Sequence, residues 1–329
     1  MRYRQMMNRL RRRAGTVSAL VVVTCVATIS APIWISLLLV VDLLTAPRQR
    51  PYTRLALFGW AWCLIECAGV LGAFGLWLTG QGRNHALHYR LMGWWAGRLM
   101  GFMSRSLRLS MKVEGEEALE GGRLIVLCRH ASLADSLVSA WVMCTNAGLW
   151  TRYVLKKELI LDPCLDVVGL RVPNHFVDRG AADSASDLVA LRSLSSDLDE
   201  RSVAVIFPEG TRSSEAKRQR AIESISQRDP DRVPRVRDLT RLLPIRPSGA
   251  LALMEGAPDA DLVFAWHTGF DGLDTFSGIL SMLRHGGDPG RFVMRRVQRS
   301  EVPVDVVPWL DEQWARMDGE IALALGEGS

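Results

Sequence analysis

Val203-Ala-Val-Ile-Phe-Pro-Glu-Gly-Thr-Arg-Ser-Ser214 runs from an apolar segment straight into charge. Val203, Val205 and Ile206 have the composition of a buried strand. Pro208 has no amide to donate and Gly210 favours turn geometry, so the strand stops there. Glu209, Thr211 and Arg212 are then presented on a tight turn at a strand end, where open α/β sheets bind ligands. Read alone, the turn is equally well a solvated ion pair.

The surroundings extend this strand into a fold. Leu109–Val113, Arg123–Arg129, the segment starting at Tyr153 and His175–Arg179 read as further strands. Residues 136–147 have helical periodicity through Leu137, Ala140, Trp141 and Cys144, and residues 182–199 form a polar helix leading into the Val203 strand. Such alternation predicts an α/β fold, a sheet covered by helices on both faces. Arg241–Gly249 and Asp261–Trp266 also look strand-like, and a helix from Pro308 turns Trp309, Trp314 and Leu323 to its apolar side. Residues 215–241 carry eight basic and five acidic side chains, which fits a solvated helical excursion or a basic lid over an anion.

Hydrophobic residues make up 48% of the 329, and the mean hydropathy of +0.10 is high for a soluble protein. The excess lies at the N-terminus. Thr16–Val41 is free of charge until Asp42, long enough to cross a bilayer as a helix that Pro32 would kink. A second apolar run, Leu55–Leu78, is interrupted by Glu66, which suggests a snorkelling or paired carboxyl. This is a two-helix membrane hairpin. Arginines before the first run and after the second favour cytoplasmic ends, but the connector Thr45–Arg54 carries three more. Two crossings and a re-entrant hairpin both fit. Residues 83–111 mix arginine with Trp94, Trp95 and Phe102, as an interfacial helix does. The expected division is therefore 1–106, membrane-associated, and 107–329, a catalytic α/β domain with its site facing the cytoplasm.

Net charge is +5 and pI about 9.0, but no stacking-aromatic motif accompanies the arginines, which argues against nucleic acid as a partner. Six cysteines without a Cys-x-x-Cys pair suit neither a zinc site nor a disulfide framework. His85 and His88 have His-x-x-His spacing without a third ligand nearby, so no metal is expected.

The Arg123–Arg129 strand runs into His130-Ala-Ser-Leu-Ala-Asp135. Residues five apart lie about 140° apart on a regular helix, so His130 and Asp135 can meet only if the histidine precedes the helix. Ser132 at the N-cap, with Asp135 in the first turn, would supply that start. Followed downstream by Phe207-Pro-Glu-Gly-Thr-Arg212, this motif resembles the glycerolipid (lysophospholipid) acyltransferase family. Leu155-Lys-Lys-Glu-Leu159, Gly169 through Phe176-Val-Asp-Arg179, and Leu242-Leu-Pro-Ile-Arg-Pro-Ser-Gly249 are similar to that family's remaining blocks, in the same order. Two departures stand out. Arg129 occupies a position often asparagine in the family, and Ile245 separates Pro244 from Arg246.

The resemblance implies a mixed sheet of the glycerol-phosphate acyltransferase type and transfer of a fatty acyl chain to a lysophospholipid, foremost 1-acyl-glycerol 3-phosphate. Acyl-CoA or acyl-carrier protein would be the co-substrate, with no further cofactor. It implies that His130 and Asp135 are catalytic. A histidine near its own pKa suits deprotonation of a hydroxyl at neutral pH, with the aspartate holding its tautomer. Arg179, Glu209, Gly210, Thr211 and Arg212 are implied for the acceptor, the guanidiniums for phosphate. Glu209 would orient Arg212 or a glycerol hydroxyl, since it repels phosphate. His267 and Asp271 form a second His–Asp pair outside the shared blocks, for which core or surface roles are expected. A hydrolase is disfavoured, because the sequence has no Gly-x-Ser-x-Gly elbow. A transacylase, an enzyme for another lysophospholipid headgroup and a non-catalytic lipid-binding protein also fit these residues.

Overall fold

The computed structural model describes residues 2–132, 134–177, 185–270, 273, 275–286 and 289–326. The chain opens with helices α1 (Arg2–Ile29), α2 (Ala31–Thr45), α3 (Pro51–Leu78) and α4 (His85–Leu107). There follow β1 (Met111–Glu114), β2 (Leu124–Cys128), α5 (Asp135–Ala140), β3 (Trp150–Lys156), α6 (Pro163–Val167), β4 (His175–Val177), α7 (Ala185–Ser195) and β5 (Ser202–Ile206). After the central turn come α8 (Glu215–Arg228), α9 (Val233–Val236), α10 (Pro247–Gly256), β6 (Asp261–Thr268), α11 (Phe276–His285), β7 (Gly290–Val297) and α12 (Val306–Ala324).

Among the described residues these strands form one seven-stranded sheet in the order β1-β7-β6-β2-β5-β3-β4. Every neighbouring pair is parallel except β6 and β7, so the sheet is mixed. Strands β2 and β5 are buried at all positions, as strands covered on both faces are. Their alternate residues feed two cores. Leu124, Val126, Val203 and Val205 pack with Leu99, Met100 and Val138 of α4 and α5. Ile125, Leu127, Ala204 and Ile206 pack with Leu191 of α7, Leu253 of α10 and Trp314 of α12. The register pairs Leu127 with Ile206, so the chain leaves both central strands at the same level.

Several expectations are revised. The first apolar run is two helices, broken at Ser30 and restarted with Pro32 in the first turn of α2, where a missing amide costs nothing. The apolar helices Met7–Ile29 and Pro51–Leu78 are each long enough to cross a membrane. Arg12 and Arg13, among the arginines before the first run, converge on the buried carboxylate of Asp166 at 2.8 and 3.3 Å. Glu66 is paired and inside: its carboxylate accepts from Trp95 Nε1 at 2.7 Å and the Cys164 amide at 3.1 Å. Helix α4 buries Tyr89, Trp95, Leu99 and Met103, so much of its expected lipid-facing surface is core.

Arg241–Gly249 is not a strand. Pro244 could not serve a ladder, and the segment's amides are taken by side chains and a turn. Asp318 accepts from the amides of Thr240, Arg241 and Leu242, Glu209 from Leu243, and the Pro208 carbonyl from Arg246. Pro247 then opens α10. On α12, Trp314 is buried as expected while Leu323 faces solvent.

Candidate active site

Strands β2 and β5 run side by side, and their C-terminal ends launch the two motifs together. The Glu209 carboxylate reaches across to accept from the His130 amide at 2.6 Å, and the Ser213 amide donates to the His130 carbonyl at 3.1 Å. The other oxygen of Glu209 accepts from the Leu243 amide at 2.9 Å. Glu209 is 2% exposed, and burial pushes its carboxyl up to about 8, against the Leu243 and His130 amides that pull it down. The expected orientation toward Arg212 or a glycerol hydroxyl is not found. The carboxyl points inward and holds three segments of backbone together.

His130 stands before α5, as the motif requires. Its Nδ1 lies 2.7 Å from Asp135 Oδ2, and its ring sits 5.2 Å from that of Phe207. Ser132 is not the N-cap; Ala134 is, and the carboxylate of Asp135 turns back to accept from the Ala131 and Ser132 amides at 2.7 and 2.9 Å. The Ser132 hydroxyl is buried and also donates to Asp135. Burial would raise the Asp135 carboxyl, but the imidazoles of His267 and His130 outweigh it and hold the group well below the usual carboxylate range.

His267 has the core position expected as one of its roles, but its contact with Asp135 was missed in the sequence. It is buried on β6, with Nε2 2.9 Å from Asp135 Oδ1, and its ring stacks on Phe292 and meets Phe270 edge-on. Asp135 is therefore bracketed by two imidazoles. The His267–Asp271 pairing involves a residue outside the described ones, as does the predicted Arg179.

His130, Gly210 and Arg212 line one cavity of about 200 Å³. Lys156 at the end of β3 joins them, and Val154, Leu155, Leu159, Leu191 and Ile206 supply an apolar wall. Among the described residues, the half-buried Arg212 guanidinium meets no carboxylate. Gly210 has φ of +67°, and an added Cβ would sit 3.4 Å from the Arg246 side chain, so the turn needs glycine. Thr211 faces the other way, its hydroxyl accepting from Lys217 at 3.3 Å. His88 is buried and set against the Asn84 carbonyl at 2.9 Å and Arg171 at 3.3 Å; among the described residues no cluster of three or more acidic, histidine or cysteine side chains could hold a metal.

Residues 110–257, the segment containing both motifs, match the family model described as Acyltransferase. The fold agrees. The chain is similar to the crystal structure of the 1-acyl-sn-glycerophosphate (LPA) acyltransferase PlsC from Thermotoga maritima, with TM-score 0.52 and 14% identity over 80% of this chain and 95% of that one. No curated protein matches the sequence.

Proposed function

We infer that this chain is an acyltransferase that moves a fatty acyl chain from a thioester, acyl-CoA or acyl-carrier protein, to the free hydroxyl of a lysophospholipid, foremost 1-acyl-glycerol 3-phosphate. The product would be phosphatidic acid. The observation that carries the reading is His130, bonded through Nδ1 to buried Asp135, on the wall of an apolar cavity that also holds Arg212. The Thermotoga maritima protein is a 1-acyl-sn-glycerophosphate acyltransferase, which supports such an acceptor.

With Nδ1–H donated to Asp135, the basic nitrogen is Nε2. The acceptor hydroxyl loses its proton to Nε2 as its oxygen attacks the thioester carbonyl carbon. The carbon–sulfur bond then breaks, and the leaving thiolate takes the proton from the imidazolium. Asp135 stabilises that imidazolium without being protonated. The Ser132 hydroxyl is committed to Asp135, which supports direct transfer without an acyl-enzyme. Arg212 takes the acceptor phosphate, Gly210 shapes the turn beneath it, and the apolar wall holds an acyl chain. Exposed Val22, Ile29, Ile33 and Leu37 on α1 and α2, and Leu71 and Phe74 on α3, support attachment to a membrane that holds both lipids.

His130→Ala is expected to lower kcat/KM by about 10²–10⁴-fold while thermal unfolding and membrane association stay unchanged. A fully active variant would sink the assignment. Arg212→Lys replaces a fork by a point charge and is expected to raise the KM for lysophosphatidate.

A further inference from the structure

Behind the Glu209–Thr211 turn lies a second and larger depression, about 750 Å³, between α8 and the segment that leads into α10. Lys217, Arg220, Ala221, Ser224, Ile225 and Arg228 line it from α8. Their spacing of three and four places all six on one face of the helix. The cations on that face extend over about 16 Å, eleven residues at 1.5 Å each. Arg246 closes the opposite side.

The charge in this groove is not compensated. Arg232, at its floor, is matched by Asp311 through paired bonds of 2.8 and 2.7 Å. The Glu209 carboxylate is held by amides. Lys217 is tied to the turn through Thr211 and the Arg212 carbonyl. Among the described residues, Arg220, Arg228 and Arg246 form no ion pair, and Asp229 is the one other carboxylate on the lining. By contrast Glu215, near the start of α8, is used up by Arg218 and Gln219. Separated cations with the small Ala221 and Ser224 and the apolar Ile225 between them suit a ligand carrying several phosphates around a flat base.

The groove adjoins the catalytic cavity, and Arg246 and Ser248 line both. We propose that the α8 groove binds the phosphorylated nucleotide end of a coenzyme A thioester, whose arm crosses Arg246 and Ser248 to bring its carbonyl to His130. This rests on the transfer reading above, and it assigns the two anionic substrates to separate cations. Arg212 takes the acceptor and α8 the donor. An acyl-carrier protein would need a broad docking face, and a walled groove on one helix favours the nucleotide.

The test uses the full chain in detergent micelles, adenosine 3′,5′-bisphosphate as probe, and the exposed double variant Arg220→Glu/Arg228→Glu. The bisphosphate is expected to bind the unaltered protein, more weakly as salt rises, and about tenfold or more weaker to the double variant. The KM for palmitoyl-CoA should rise by a similar factor while that for lysophosphatidate stays within about twofold. Arg220→Lys/Arg228→Lys should recover most of the binding. The proposal is overturned if the bisphosphate fails to bind, if the double variant binds it as well, or if acyl-carrier protein is the only donor used. A rise confined to the acceptor KM overturns it as well. Bisphosphate binding that is lost in the double variant, in a protein that transfers no acyl group, would uphold the groove and overturn the transfer reading. Transfer from palmitoyl-CoA without bisphosphate binding would do the reverse.

Discussion

Both oxygens of Glu209 are occupied by backbone amides, so the carboxyl works as a clasp between the His130 loop, its own turn and the Leu243 segment. Burial raises it from an ordinary 4.5 to about 8. Between those values the folded chain holds a proton that the unfolded chain releases. The stabilisation from this group is therefore whole below about 4.5 and is lost as pH rises through about 8. Glu209→Gln stays neutral but loses one acceptor. It is expected to cost about 1–3 kcal/mol and to flatten the fall in stability across that window, read from thermal melts at several pH values. An unchanged slope would rule out titration of Glu209 as its source. This clasp was not legible in the sequence, because its second amide comes from a segment that mimics a strand. His130 and Asp135 were legible because they meet within one local loop. His267 was not: it reaches Asp135 only because β6 pairs with β2 in the register that sets Ala265 beside Cys128.

At the scale of elements, the uniform apolar runs of β2, β5 and β6 announce central strands, and the structure contains them. Strand β7 escaped notice because Arg291, Arg295 and Arg296 interrupt it. Two of those arginines are matched outside the ladder, Arg291 by Glu114 and Arg296 by Asp261. It is also the strand that makes the sheet mixed, pairing antiparallel with β6. Close approach of α3 to α6 was equally hidden. A Cβ at Gly69 would stand 2.6 Å from Cys164 Sγ and 3.5 Å from Trp95. Gly69→Val is therefore expected to separate the apolar helices from the α/β domain at a cost of about 1–3 kcal/mol. The expected result is a lower melting temperature with Gly59→Val, which meets nothing within 4 Å, as the control. Equal melting of the two variants would mean that α3 is not held at this point.

For the whole molecule, the placement of the connector with its three arginines turns on what those residues touch. Arg54 donates to the Ser106 carbonyl at 2.6 Å, at the end of α4, and Arg284 of α11 lies over the Tyr52 ring at 5.3 Å and donates to its hydroxyl. At mid-length, Glu66 of α3 is bound to Trp95 and Cys164. The start of α1 is tied by Arg12 to Asp166 on the same domain. The N-terminal arginines, the middle of α3 and the connector are thus all held against one α/β body. A hairpin that crossed the bilayer would carry its connector to the opposite face, away from Ser106 and Arg284. These contacts match what a re-entrant hairpin requires, a connector that stays on the side of the α/β domain. Arg48→Cys in the connector and Val304→Cys in the loop before α12, both exposed positions, provide the test in chains with Cys25→Ser. In sealed vesicles of defined orientation, a membrane-impermeant maleimide should label both positions from the same side and neither from the other. Labelling from opposite sides would establish a true crossing and break the contacts that hold the connector to the domain.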